Sequence, residues 1–287
     1  MHIVVCVKQV PDSAQIRVHP VTNTIMRQGV PAIINPYDLF ALEQGLRLRD
    51  RFGGEVTVLT MGPAMAEDAL RKTLTIGADR AVLLTDRQFA GSDTLATSFA
   101  LATALRRVGT LWGEPSIVLT GKQTIDGDTA QVGPGIAKRL GLTQLTYVSR
   151  IDDLDAATGK IVVERRAEGG TQVLQSKLPV LITMLEGTCE VRRGAIGDAL
   201  RAARAEVVRW SAAEAGVEDT TKCGLRGSPT IVKSVFAPTA RAEKAKQVPT
   251  AGCSTDQLAL EVLAEIFGHL PRLERELEAS ARRDSPS

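Results

Sequence analysis

The chain has 287 residues, 44% of them hydrophobic, and a formal net charge of +2. That supports a real core in one large domain or two small ones. The balanced charge and the lack of a long basic block argue against a nucleic-acid or membrane-surface binder, and no apolar run approaches the roughly 18–20 residues of a membrane span.

The opening MHIVVCVKQV has no basic leader or cleavage site and reads as a buried strand. Four dispersed cysteines (Cys6, Cys189, Cys223, Cys253) form neither a metal site nor a disulfide framework, which suggests a reducing cytoplasm. His2, His19 and His269 have no ligand spacing, so no metal site is expected.

The first half alternates short apolar runs with helical patterns, the signature of a mostly parallel sheet covered by helices. Strands are predicted at 3–7, 56–61, 80–85 and 116–119. Between the first strand and the first helix, two alternating runs flank Pro20 to Asn23 and read as a small hairpin. Asn35 is the expected cap of a helix opening with Pro36 and running to 51. Pro63 opens a second helix that Gly77 stops, and Ser92 is the expected cap of a third reaching 107. Alternating runs at 160–165 and 171–175, joined through Gly169 and Gly170, predict an antiparallel hairpin added to the main sheet, followed by a buried strand at 179–184. A helical pattern runs from 194 to 210. Residues 217–255 are irregular, and a final helix from 255 to about 279 carries Leu258, Val262, Leu263, Ile266, Phe267 and Leu270 on one side. That stripe docks either on its own chain or on a second subunit. These elements divide into an α/β nucleotide-binding domain at 1–205 and an extended segment with a helical arm at 206–287.

The stretch GKQTIDGDTAQVGP, residues 121–134, carries the most chemistry. It joins the strand at 116–119 to a helix at 135–142, and a strand–turn–helix junction offers unpaired N–H groups and a helix dipole to an anion. Gly121 ends the strand, Gly127 lets a ligand approach the backbone, and Asp128 with Gln131 has capping-box spacing. The stretch reads either as a phosphate and ribose cradle or as an ordinary βα turn with a good cap. In the first reading, N–H groups of Thr124, Ile125, Asp126, Gly127, Asp128 and Thr129, with the Thr129 hydroxyl, suit phosphate oxygens. Gln131 donates to phosphate or ribose. Asp126 and Asp128 would repel phosphate, so one caps the helix and the other turns to a ribose hydroxyl or solvent.

Ligands of open α/β sheets bind at the carboxyl ends of strands. Three further segments fall there: Cys6, Val7 and Lys8 after the first strand, Met61 and Gly62 after the second, and Asn35, Pro36, Tyr37 and Asp38 at the first helix start. Lys8 either neutralises phosphate or is solvated. No GxxxxGK[ST], GxGxxG or GxSxG motif is present, and no Ser/His/Asp set can be drawn. Any redox or transfer chemistry would then belong to a cofactor, and no residue is assigned a catalytic role.

Over nearly its full length the chain resembles the β subunit of electron-transfer flavoproteins. VERRAEGGTQVLQSKLPVLIT at 163–183 follows that family's signature. VKQVPD, NPYD at 35–38, GADRAV at 77–82 and GKQTIDGDTAQVGP add matches in the family's order. The resemblance implies a Rossmann-like α/β fold, an α-subunit partner and a C-terminal arm embracing it. Carried over, the nucleotide site is Cys6, Asn35 to Asp38, Met61, and Gly121, Lys122, Gln123, Thr124, Ile125, Asp126, Gly127, Asp128, Thr129, Ala130, Gln131 and Val132. Ordinary members hold a structural AMP there, and the electron-bifurcating branch holds an FAD. AMP-type members carry a third acidic residue where this chain has Gly127, so the chain looks like the bifurcating branch, and within it like the Fix-type members that serve nitrogen fixation. The implied partners are a FixB-type α subunit, NADH as donor, a quinone-linked FixC/FixX-type dehydrogenase through which the complex is peripheral to a membrane, and ferredoxin or flavodoxin as acceptor. Residues 186–200 match in position the loop that docks the redox partner, with Ile196 near its anchoring side chain. A non-redox adenine-nucleotide-binding module is the alternative from a different class.

Overall fold

Strands form where the chain is apolar toward both faces. In the computed structural model β1 (His2–Cys6) is buried along its whole length, as expected for a strand covered by helices on both sides. The structure describes residues 1–12, 17–18, 25–26, 31–233, 252–273 and 275–277. After β1, β2 (Gln9–Pro11) pairs antiparallel with β5 (Ala32–Ile34), and between them β3 (Arg17–Val18) pairs antiparallel with β4 (Ile25–Met26). The predicted hairpin is therefore present, while its turn at Pro20 to Asn23 lies outside the described residues, as does His19.

The chain continues through α1 (Pro36–Phe52), β6 (Glu55–Met61), α2 (Glu67–Ile76), β7 (Arg80–Leu84), α3 (Thr94–Trp112), β8 (Ile117–Gly121) and α4 (Val132–Leu140). It then runs through β9 (Thr143–Asp155), β10 (Lys160–Ala167), β11 (Gly170–Lys177), β12 (Val180–Met184), α5 (Ile196–Arg204) and β13 (Val207–Trp210). One nine-stranded sheet results, in the order β11-β10-β9-β12-β8-β1-β6-β7-β13. From β9 to β13 all neighbours are parallel. The β10–β11 hairpin adds antiparallel strands at one edge, its turn using Gly169 at φ 80°.

The pleat sorts β1 between two cores. Ile3 and Val5 share a core with Leu42 and Leu46 of α1 and Leu70 and Leu74 of α2. Val4 and Cys6 share the opposite one with Leu101 and Leu105 of α3 and Ile136 of α4. Helix α1 lies tight on the sheet: a Cβ on Gly45 would sit 3.1 Å from Val5 Cγ2.

Three local expectations are corrected. The α3 cap is Asp93, whose side chain accepts the N–H groups of Leu95 and Ala96, whereas the Ser92 hydroxyl donates to the Phe89 carbonyl. A carboxylate can accept two N–H groups at once, which favours Asp93. The helical pattern predicted to 210 breaks after Arg204, and Val207–Trp210 pairs with β7 as an edge strand. Its Val-Val-Arg-Trp sequence prefers a pleated surface. The second helix starts at Glu67 after a 3-10 turn, Ala64–Ala66, that follows Pro63.

The chain divides into two compact units, Met1–Phe236 and Ala237–Ser287. Residues 206–233 thus lie within the first unit. Among described residues, the second contains α6 (Thr255–His269), opened by a capping box in which Ser254 and Gln257 exchange hydrogen bonds. The end predicted at about 279 lies outside the described residues. No helix among the described residues is long and apolar enough to cross a membrane.

Candidate nucleotide-binding site

Strand pairing places Cys6 beside Leu59 and Thr120, so β1, β6 and β8 end along one sheet edge. Asp38, in the first turn of α1, ties two of those ends together. Its carboxylate accepts the Lys8 N–H at 2.7 Å and the Gly121 N–H at 3.1 Å. The contact needs glycine at 121: a Cβ there would overlap the Asp38 carboxylate and approach Tyr37 Cβ to 2.6 Å.

Asn35 performs a different task from the predicted cap. Its side chain makes no capping bond to α1. It is fully buried and turned onto the 121–131 loop, donating to the Gln123 carbonyl at 2.9 Å and accepting the Ile125 N–H at 3.2 Å. A primary amide can hold a backbone carbonyl and N–H together, so asparagine staples this loop with one side chain.

Beyond the staple, the Gly127 and Asp128 N–H groups turn back to the Thr124 carbonyl. Asp128 and Ala130 are left-handed, at φ 52° and 54°. Those two reversals send the Asp128 side chain back over the loop, where it accepts Gln123 Nε2 at 2.7 Å. The predicted Asp128–Gln131 capping box is therefore not formed. Gln131 occupies the N-cap position of α4 without a side-chain cap, and its side-chain oxygen accepts the Thr94 hydroxyl. In the first turn of α4 the Val132 and Gly133 N–H groups are uncapped by a side chain, Pro134 has none and the Gly135 N–H bonds to the Gln131 carbonyl, so two donors are left of the kind that receives anions. Gly133 lets this turn lie against the strand ends, since a Cβ there would be 2.8 Å from Thr183 Cγ2 and 2.9 Å from Thr120 Oγ1.

Two lysines flank the loop. Lys8 Nζ lies 2.9 and 2.8 Å from the two Asp126 oxygens. Burial would raise the Asp126 carboxyl, but the Lys8 bond and charge, with hydrogen bonds from Thr124 and its own backbone, together hold the group below its usual range. Asp126 thus spends its charge on Lys8 rather than on capping. Lys122 Nζ stands 5.4 Å from the Tyr37 ring centre and 5.7 Å from that of Tyr147, within cation–π range. Tyr147 had no signal in the sequence. It is left-handed at φ 59°, in the part of β9 where pairing with β12 slips register, and its N–H is held by the Thr183 hydroxyl.

Burial pushes the Cys6 thiol up to about 12, with the nearby Asp38 adding to the shift. Cys6 is thus a neutral packing residue rather than a thiolate. Burial also pushes Asp38 up to about 7, against hydrogen bonds from Asn35, Lys8 and Gly121.

Of the other predicted residues, Val7 is buried, its N–H bonded to the Leu59 carbonyl. Pro36 opens α1, and Val132 opens α4 and packs on the core beneath it. Met61 and Gly62 end the neighbouring strand, and among described residues no hydrogen bond joins them to the cradle; the Gly62 N–H bonds to Leu84. Thr129 is exposed at the rim. The edge offers the loop and helix N–H groups that its own bonds leave over, and Lys122, with Asp126 and Asp128 already engaged by Lys8 and Gln123. That donor set suits a phosphate-bearing ligand.

Residues 22–215 match the Electron transfer flavoprotein domain family. Protein FixA of Azorhizobium caulinodans is 73% identical, with 98% of this chain and 99% of that one aligned. Protein FixA of Sinorhizobium fredii is 70% identical over 98% of each chain. The Electron transfer flavoprotein subunit beta of Clostridium acetobutylicum is 48% identical over 81% of this chain and 86% of its own.

Proposed function

The chain belongs to the electron-transfer flavoprotein family as a β subunit of the FixA type, and from that premise we propose that it holds FAD along the sheet edge formed by Lys8, Asn35, Asp38 and residues 121–132. When bound, FAD supplies the redox chemistry. The chain's own residues position it: the amides of Thr124 and Thr129, which the loop's own bonds leave over, and those of Val132 and Gly133 take the phosphates, Lys122 balances their charge beside the Lys8–Asp126 pair, and Asn35 and Asp38 fix the loop. Gly127 carries the choice of FAD over AMP. Its φ is not left-handed, and a Cβ there would meet only Thr124 Oγ1, at 3.3 Å. The fold does not demand glycine at 127, so its benefit falls to a ligand that a carboxylate there would repel.

In this reading NADH delivers electrons to a complex with a FixB-type α subunit, which divides them between a quinone-linked partner and ferredoxin or flavodoxin in support of nitrogen fixation. Helix α6 is the arm that docks the α subunit: Leu260, Val262, Leu263 and Ile266 are all exposed in its own unit. Residues 186–200 dock the redox partner. Ile196 is 83% exposed and Leu200, one turn later, 58% exposed, an unusual outlay of apolar surface on a nine-residue helix.

The test is a cofactor count on the chain co-purified with its α subunit. Two FAD per heterodimer support the proposal. One FAD and one AMP place the protein in the ordinary branch, and tightly bound ATP in colourless protein favours a non-redox module.

A further inference from the structure

We propose that Glu43 is a positioning residue for electron-partner docking: from α1 it clamps Arg192 and so fixes the direction in which Ile196 and Leu200 are presented. The inference rests on the docking role given above to residues 186–200.

Glu43 is 2% exposed. Among the described residues its donors come from two arginines. Oε1 accepts Arg47 Nε at 2.7 Å and Arg192 Nη2 at 3.2 Å, while Oε2 accepts Arg192 Nε at 2.8 Å and the Arg192 backbone N–H at 3.2 Å. Arg47 Nη2 also donates to the Glu190 carbonyl, and Arg192 Nη1 reaches Asp50 at 2.6 Å. Residues 43, 47 and 50 follow each other along one face of α1. Together they grip residues 190–192 by backbone and side chain at once.

The grip matters because 186–195 has no helix or strand of its own to set its path. A second support meets it from α2, where the segment passes so close that a Cβ on Gly194 would overlap the Thr75 carbonyl. One residue after Ala195, α5 begins with exposed Ile196. Removing a buried carboxylate and its cations from water costs about as much as their attraction returns, so such a cluster adds little net stability over apolar packing. What it supplies is a defined geometry. Burial would raise the Glu43 carboxyl, but hydrogen bonds from Arg192 and Arg47 hold it below its usual range, so the clamp is ionised at neutral pH. The same helix carries Asn35 and Asp38 at its start, so one rigid element sets both the nucleotide cradle and the docking segment.

The test uses the chain co-purified with its α subunit, NADH as donor, a saturating quinone-linked dehydrogenase to take one electron and ferredoxin at varied concentration to take the other, and hydrogen exchange as a readout independent of turnover. In Arg192→Ala, amides of 186–195 exchange about tenfold faster. The half-saturating ferredoxin concentration rises about tenfold, with plateau rate and flavin content unchanged. Ile196→Ala raises the same half-saturation, and the double variant is no worse than the worse single one, because a misdirected side chain has nothing left to lose. Arg192→Lys, which keeps the charge but not the fork, recovers part of the effect. Asp50→Asn leaves the Glu43 bonds in place, weakening the outer bond to Arg192 together with the Asp50–Arg49 pair, and gives smaller, parallel shifts, which keeps the test decisive if Arg192→Ala does not fold. A lowered melting temperature with unchanged half-saturation in the Arg192 and Asp50 variants overturns the clamp, provided Ile196→Ala is effective. If Ile196→Ala is itself without effect, the docking role falls and the clamp with it.

Discussion

The Gly121 N–H donates to Asp38 Oδ1 at 3.1 Å, and the same glycine has no room for a side chain because Tyr37 stands over it. The end of β8 and the start of α1 are thus held at backbone distance, and the loop after β8 departs from that contact. Gly121→Ala must push α1 off the sheet edge. The expected loss is about 1–3 kcal/mol, the usual cost of overpacking, read as a fall in urea midpoint. Flavin content of the complex falls with it, since the cradle opens where the two elements part.

Asp38 gives the site a pH dependence whose sign is fixed by the direction of its shift. Its carboxyl is raised to about 7 in the fold, against about 4 in an unfolded chain. Stability from the neutral form is fully present below about pH 4 and is lost as pH rises through about 7. Urea midpoints should therefore decline between pH 5 and 8. Asp38→Asn flattens that decline. It also lowers the midpoint at every pH by about 1–3 kcal/mol equivalent, because an amide nitrogen must face one of the two N–H donors at Lys8 and Gly121.

How much of this was legible in the sequence follows from the range of each interaction. Buried parallel strands announce themselves by unbroken apolar runs, so β1, β6, β7 and β8 and the sheet class were readable, as was the edge on which Cys6, Asn35 and Gly121 meet. Asn35 and Asp128 suggest capping side chains because capping is the local use of both, whereas Asp128 instead turns to Gln123, five residues back, through a left-handed backbone no spacing encodes. The partners of Asn35, Gln123 and Ile125, lie 88 and 90 residues away. Lys8 and Asp126 are separated by 118 residues, and nothing local to either announces the pair. Tyr147 reaches Lys122 from a strand whose register slip no alternation pattern encodes. Val207–Trp210 is hidden behind a helical pattern because Arg and Ala before it satisfy helix periodicity up to the break.

Gly127→Asp separates ligand chemistry from fold chemistry. The position is exposed and not left-handed, and its one close neighbour is the Thr124 hydroxyl. The melting temperature should move by no more than an exposed turn substitution allows, about 0.5 kcal/mol equivalent. The flavin bound by this chain should be lost from the purified complex, because a third carboxylate then faces the phosphates. Unchanged flavin content with unchanged stability would remove the phosphate from this loop.

Ala130 offers the opposite kind of test, one of backbone rather than charge. At φ 54° it holds a conformation that costs an L residue roughly 1–2 kcal/mol, and with Asp128 it makes the double reversal that leaves the start of α4 uncapped. Ala130→Gly relieves that strain while giving the unfolded chain more freedom, so the two effects oppose each other. Strain is the larger, and the variant should be as stable as the parent or up to about 1 kcal/mol more stable. An ordinary alanine-to-glycine change would lower stability. Ala130→Val adds a β-branched side chain where none is tolerated and should lose both stability and flavin. Urea midpoints for the pair, beside flavin content of each complex, distinguish a loop whose shape is preset by its backbone from one shaped by side-chain contacts alone.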